Sequence, residues 1–493
     1  MSASPMKKYW LAAGLCGVFF VFLLLARSGM IVFPEKKPAG SAPPDPPPLA
    51  GRETWMKVLH QGKKIGYSHT RFTPTKTGYR LQETLRMDVT ALGSAHRVRL
   101  DLTARLHPDL SLHTFESRLD SGGMTFTAAG AVKKEKIEMT TTTAGQTRST
   151  RIPVPTPVYP AAGILERLRS RPLSPGQTMT MTVFDPASLS PMPVRLTVGE
   201  KQTIRIMGKD RTAFRLRLNV KGLTQEAWVD KNGSILKESG LMGMTLVKTD
   251  KQGALTGPSG ASGDITALVS LPVDTALPDP AGLRQLTVII SGVDTRHLDL
   301  TGGRQQMANG RLTITRESLE AAAPPVSPDR RPGDLAPDML IQSDHPDIRN
   351  LAADITADID TARKKAERLV NWVYRNIDKQ PVVSLPNALA TLASRQGDCN
   401  EHAVLLAALS RAAGIPARVE TGLMYLEGRF YYHAWNRLYL DRWVTADASR
   451  GQLPADVTHI RLIEGDLNRM LDLLPVIGRM RLQVVDFSPR PDK

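Results

Sequence analysis

Gly397-Asp398-Cys399-Asn400-Glu401-His402-Ala403 stands at the head of an apolar helical pattern, with Leu405, Leu406, Leu409, Ala412 and Ala413 recurring at helical spacing. Asp398 is a good N-cap, and Glu401 three residues later completes the signature of a capping box. Gly414 and Pro416 close the helix. Cys399 therefore falls in the first helical turn. There the helix dipole and the free backbone N–H groups favour an anion, and so favour thiolate over thiol. The only other cysteine, Cys16, lies in an N-terminal apolar run and reads as a buried apolar thiol. No disulfide can form within the rest of the chain. The plain alternative for Cys399 is a small buried hydrophobe, but its cap position and its partners point to use.

Two more residues complete a constellation. Arg429 to Tyr439 has the pattern of a strand, and Trp443 to Asp447 that of a second, joined by Leu440-Asp441-Arg442. A three-residue turn pairs Tyr439 with Trp443 and sets Asp447 opposite Trp435, a same-face diagonal neighbour of His433. A two-residue turn would put His433 and Asp447 on opposite faces. A thiolate that attacks a carbonyl, an imidazole that shuttles the proton and a carboxylate that fixes the imidazole tautomer form a consistent set.

In their order along the chain, Gly397-Asp398-Cys399, Gly414-Ile415-Pro416-Ala417-Arg418, His433-Ala434-Trp435 and Trp443 through Asp447 resemble the core of the transglutaminase-like superfamily. The resemblance covers roughly Leu340 to Leu467, about a quarter of the chain. It implies a papain-like α+β fold with Cys399 as nucleophile, His433 as base and Asp447 as orienter. One departure stands out. The position two after Trp435 is often acidic in that family and here is Arg437. The departure alters the local charge, with no expected effect on the triad.

The 493 residues imply two or three domains, and the composition is that of a globular protein. Net charge is +16, but the basic residues are dispersed and no basic stripe carries interleaved aromatics, so no nucleic acid is expected as partner. An anionic envelope or cell wall is a simpler counterpart for this charge. Residues 1–33 read as a membrane anchor: Lys7 and Lys8 precede an uncharged apolar run from Tyr9 to Ala26, long enough to span a bilayer. The charges put the N-terminus in the cytoplasm and the bulk of the chain outside, as a single-pass, extracytoplasmic or periplasmic protein. A cleaved signal peptide is the alternative.

Residues 34–51 form a proline-rich spacer. Residues 52–252 read as an antiparallel β sandwich or barrel, with alternation in Tyr79 to Val89, Val98 to Leu106 and Phe214 to Val220 and an Asn232-Gly233 hairpin turn. Its only helical pattern lies near Pro160 to Arg169. Residues 253–320 read as a linker with a small β element, 321–338 as a second proline-rich linker, and 339–493 as the catalytic domain. From Thr361, Ala362, Ala366, Leu369, Val370, Val373 and Ile377 make an apolar helical stripe, with Trp372 and Tyr374 read as core.

Neither a cofactor nor a metal is expected. Asp398, Glu401 and His402 are too close along one helix start to converge on one ion. His60, His69, His96, His107 and His113 lack ligand spacing. His459 is a second candidate base, in a loop beyond Asp447. The expected protein is a membrane-anchored, outward-facing thiol hydrolase or acyltransferase acting on amide bonds of a peptide or protein substrate. The rival is a non-catalytic envelope protein that keeps the fold and binds peptides or a partner.

Overall fold

The computed structural model describes residues 49–489 except 92–93, 122–123, 144, 170–171, 187–189, 221–222, 241–242, 258–269, 320–330, 381–385, 466–468, 470 and 474. The expected anchor and most of the first proline-rich spacer lie outside the described residues. Among those described, no helix is long and apolar enough to cross a membrane. The chain divides into two compact units, with the break in sequence between Ile265 and Thr266.

The N-terminal unit is β-rich. Among the described residues its fifteen strands form one continuous hydrogen-bonded sheet. Arg52–His60 is the seam: it pairs with Lys63–Thr75 on one side and with Met244–Thr249 on the other, joining two meanders. Alternation drives the curl. Leu81, Leu85, Met87 and Val89 face one side and are buried, as are Val98, Ala104 and Leu106 on the next strand. The edge strand Val158–Pro160 comes back against Leu112–Ser121, where Phe115 meets Phe184 with ring centroids 5.3 Å apart. The Asn232-Gly233 turn is present, with Gly233 at φ +70° and Trp228 paired with Lys237. The short helix spans Ile164–Leu168.

The C-terminal unit mixes helices and strands. Its main sheet runs Ser270–Pro272, Arg429–Tyr439, Ala417–Leu426, Ile460–Glu464, with Trp443–Ala446 paired onto Arg429–Tyr439. The helix Cys399–Ala412 packs on this sheet, and Pro346–Ile355, Ala362–Asn376 and Ala388–Ser394 pack around it. Every residue from Cys399 to Ser410 is buried, which is why the helix is apolar on almost all sides. Leu405, Leu406 and Leu409 are fully covered, each contributing about 1.5–3 kcal/mol of burial. Asn436 Nδ2 donates to the Ala403 carbonyl at 2.9 Å and ties strand to helix. Gly422 is required by a close approach: a Cβ there would collide with the Ile460 carbonyl and the Trp435 ring.

Three expectations are corrected here. From Thr266 onward, the segment read as a linker with a small β element belongs to the C-terminal unit. Ser270–Pro272 pairs with Arg429–Tyr439, and Leu283–Ser291 pairs with Arg481–Pro489 at the far end of the chain. Hydrogen bonds across such sequence distances leave no local trace. The described end of the second proline-rich stretch is not a free linker either. Pro332–Asp334 forms a 3-10 turn, and buried Asp334 accepts from Arg418 Nε and Nη2, both at 2.9 Å. Tyr374 is exposed and Trp372 only partly buried, so neither is core. Lys379 Nζ lies over the Tyr374 ring at 4.0 Å, and the Arg395 guanidinium over Trp372 at 4.8 Å.

A fragment starting at Thr266 should therefore unfold in one cooperative transition. A fragment starting at Leu335 lacks the partners of Arg481–Pro489 and the carboxylate of Asp334, and should aggregate or melt at lower temperature. Circular dichroism melts of the two fragments check this; equal stability would return the boundary to Leu335.

Candidate active site

The helix that carries Cys399 is fixed by its cap. The Asp398 carboxylate accepts from the Asn400 N–H at 2.9 Å, and Glu401 Oε2 accepts from the Asp398 N–H at 3.1 Å, closing the capping box. Gly397 makes room for this closure, since a Cβ there would run into the Glu401 side chain. Cys399 takes the first helical position and is 4% exposed.

His433 and Asp447 come from adjacent strands in the register of the three-residue turn. Tyr439 pairs with Trp443 and Asn436 with Ala446, so Asp447 follows opposite Trp435. His433 Nε2 and Asp447 Oδ2 are 2.7 Å apart, both side chains 1% exposed. The other ring nitrogen, Nδ1, is buried without a hydrogen-bond partner. The next residue, Ala434, directs its backbone N–H to the Cys399 sulfur. The thiol thus lies against the strand that carries His433.

Asp447 is held from all sides. Its Oδ1 accepts from Ser449 Oγ at 2.7 Å, the Ser449 N–H at 2.8 Å and the Arg450 N–H at 3.2 Å. Its Oδ2 also meets His459 Nε2 at 2.9 Å. His459, expected in a loop, does precede strand Ile460–Glu464, yet it is fully buried and part of this cluster. Its Nδ1 lies 3.2 Å from Asp456 Oδ1. The Trp435 ring packs edge-on against His459, and its indole N–H donates to Glu420 at 2.6 Å. Sequence reasoning missed Ser449 and Asp456 altogether. An aspartate three residues before a histidine was the available signal for the second pair, but nothing local shows that the loop folds back onto Asp447.

Asp398, Glu401 and His402 do not converge. The His402 ring turns back to the Asp398 carbonyl, with Nδ1 at 2.6 Å. Among the described residues, the group whose ligating atoms lie close enough to share a cation is His433, Asp447 and His459, within 4.8 Å of one another. In this structure those atoms are engaged with each other. Arg437, the departure from the family pattern, is absorbed by carboxylates: Nη1 is 2.6 Å from Glu464 and Nε 3.6 Å from Glu420.

The electrostatics correct one expectation. Burial pushes the Cys399 thiol well above the usual cysteine range, and the carboxylates of Asp398, Asp447 and Glu401 push the same way. The Ala434 N–H pulls the other way but does not reverse this, so the direction favours thiol over thiolate. Burial also lowers His433 against the pull of Asp447, and His402 to about 4. Asp447 is held well below the carboxylate range, its burial overcome by His433 and His459. These directions favour a neutral thiol and a neutral imidazole backed by an ionised carboxylate.

Because the fold holds the thiol proton more tightly than the unfolded chain does, this group adds stability below the ordinary thiol pKa of about 8.5. That contribution is lost as pH rises through the higher folded value. Cys399→Ala should therefore lose less stability than the parent chain above about pH 8.5, measured by denaturant unfolding across pH. Equal pH dependence in both proteins would show that Cys399 ionises as a solvent-exposed thiol does.

Residues 349–448 match the family profile of the transglutaminase-like superfamily, and residues 54–246 that of a family of unknown function, DUF3108. No curated protein matches the chain. Among solved structures, one similar chain is a candidate cysteine protease from Cytophaga hutchinsonii, with 20% identity, 46% of this chain and 91% of that one covered, and a TM-score of 0.28. Another is a β-barrel-like protein of a domain of unknown function, DUF1849, from Brucella abortus, with 11% identity, coverage of 41% and 99%, and a TM-score of 0.31. A third is a candidate protease from Parabacteroides distasonis, with 13% identity, coverage of 66% and 64%, and a TM-score of 0.20. Between residues 349 and 448 the chain carries a transglutaminase-like domain.

Proposed function

We propose that this protein is a thiol hydrolase or acyltransferase acting on amide bonds of peptides or proteins, with a papain-like catalytic core. Cys399 is its nucleophile, His433 its base and Asp447 the orienter. The observation that carries the reading is the tautomer lock. Asp447 takes Nε2 of His433 at 2.7 Å, which leaves the buried Nδ1 as acceptor next to the residue that contacts the thiol.

In the first step His433 Nδ1 removes the thiol proton as Sγ bonds to the substrate carbonyl carbon. The Cys399 N–H, at a helix start where amides have no intrahelical acceptor, is a candidate donor to the oxyanion. The C–N bond then breaks, the imidazolium gives its proton to the departing amine, and a thioester remains. Water, deprotonated by His433, releases a carboxylic acid and restores the thiol. An amine in place of water gives a new amide. The neutral resting pair fits proton transfer concerted with attack. Burial of the thiol is the observation that favours the rival, a binding protein that keeps the fold.

Cys399→Ala should abolish covalent labelling and turnover. His433→Ala should cost roughly 10²- to 10⁴-fold in turnover, and Asp447→Asn less, since it forms no bond to substrate. Activity-based labelling followed by mass spectrometry of trapped acyl adducts measures all three. Full biological activity of Cys399→Ala would establish the binding reading instead.

The apolar run Tyr9 to Ala26 behind Lys7 and Lys8 supports a single-pass anchor with an extracytoplasmic, periplasm-facing catalytic unit. Alkaline phosphatase fused after Asp250 should be active, and a reporter that works only in the cytoplasm inactive at the same place. The reverse pattern would remove the topology.

A further inference from the structure

The second histidine–aspartate pair has no task in the three-residue scheme, yet it is buried as deeply as the first. Both ring nitrogens of His459 face carboxylates: Nδ1 meets Asp456 Oδ1 at 3.2 Å, and Nε2 meets Asp447 Oδ2 at 2.9 Å. An ionised carboxylate only accepts, so both nitrogens must carry hydrogen and the ring is an imidazolium. Asp456 is itself tied down. Its Oδ1 accepts from Thr458 Oγ1 at 2.6 Å and the Thr458 N–H at 2.9 Å, and its Oδ2 from Gln452 Nε2 at 3.0 Å. The backbone is fixed as well, because Arg304 Nη2 donates to the His459 carbonyl at 2.8 Å. Such an array is costly to bury unless every member is paired, and here the pairs are charge-assisted.

The array has a direction. Asp447 Oδ2 serves His433 and His459 together, so the second ring decides where that oxygen sits. We propose that His459, clamped by Asp456, is a positioning residue of the reaction: it fixes the Asp447 carboxylate so that Oδ2 holds His433 by Nε2 and leaves Nδ1 for the thiol. The proposal rests on the triad reading above. It replaces the view of His459 as an alternative base, since a ring that donates from both nitrogens has none free to accept a proton from Cys399. Burial and Asp456 act on His459 in opposite senses, and the two carboxylates prevail and raise it, in accord with the charged ring. The imidazolium also spreads the negative charge of Asp447 over two partners, which keeps His433 neutral at rest.

The test uses the full chain, iodoacetamide as the thiol probe, and nitrogen-15 NMR of labelled histidines to read the His433 tautomer. In the parent protein His433 should be the Nε2–H tautomer, and alkylation of Cys399 should be slowed by His433→Ala. His459→Ala should lower the alkylation rate roughly 10- to 100-fold and abolish the single His433 tautomer. His459→Gln keeps one N–H for Asp447 without the charge. It should retain the tautomer, with a rate between the parent and His459→Ala, and it decides the matter if the alanine variant fails to fold. A folded His459→Ala or His459→Gln protein with parental rate and a mixed tautomer, or a parental rate and tautomer in His459→Ala, overturns the positioning role. If His433→Ala leaves alkylation unchanged, the triad reading itself fails, whatever His459 does.

Discussion

The pairing of Tyr439 with Trp443 is the constraint on which the site depends. Side chains alternate along a strand, so a slip of one residue would turn Asp447 to the face opposite His433. The turn Leu440-Asp441-Arg442 sets the register, with Asp441 at φ +65°, a left-handed conformation that aspartate tolerates better than most residues. Beyond Ala446 the chain closes a tight loop, with Asp447 and Gln452 exchanging both backbone hydrogen bonds at 2.9 Å. That loop brings Ser449 onto the carboxylate and starts the return that ends at His459.

A second layer holds the sheet that carries the site. Asp334 binds Arg418, Arg418 reaches Glu464 at 2.9 Å, Glu464 binds Arg437, and Glu420 is shared by Arg437, Arg461 and the Trp435 indole. Arg418, Glu420, Arg461 and Asp334 are buried, and removal of one member of a buried ion pair typically costs about 3–5 kcal/mol. Through Trp435 this network touches both imidazoles. Arg437 therefore has a structural use here: two carboxylates face it, and an acidic side chain in its place would meet like charge.

Two fields compete at the thiol. The helix N-terminus and the Ala434 N–H favour the thiolate; burial and three carboxylates oppose it. The helix dipole is a matter of a fraction of an elementary charge. Complete removal of a charge from water is the larger effect. The direction of the balance favours a proton on sulfur, while His433 Nδ1 is buried with no hydrogen-bond partner among the described residues.

Much was legible in the sequence because it is local. The capping box at Asp398 and Glu401, the helix after it, the alternation from Gly78 to Leu106, the Asn232-Gly233 turn and the Thr361 helix start all depend on neighbours a few residues apart. The motif order carried the family likeness and nominated Cys399, His433 and Asp447. What the sequence could not decide depends on distance in the chain. Ser270–Pro272 and Leu283–Ser291 find partners some 160 to 200 residues away, so residues with linker-like composition became part of the C-terminal unit. Burial is likewise a property of the assembled fold, and it reversed the inference from helix position to thiolate. His459 and Asp456 look like loop residues until the loop folds back on Asp447. Composition and spacing specified the chemical groups; only tertiary structure determined which of them share one desolvated volume, and hence which carry charge.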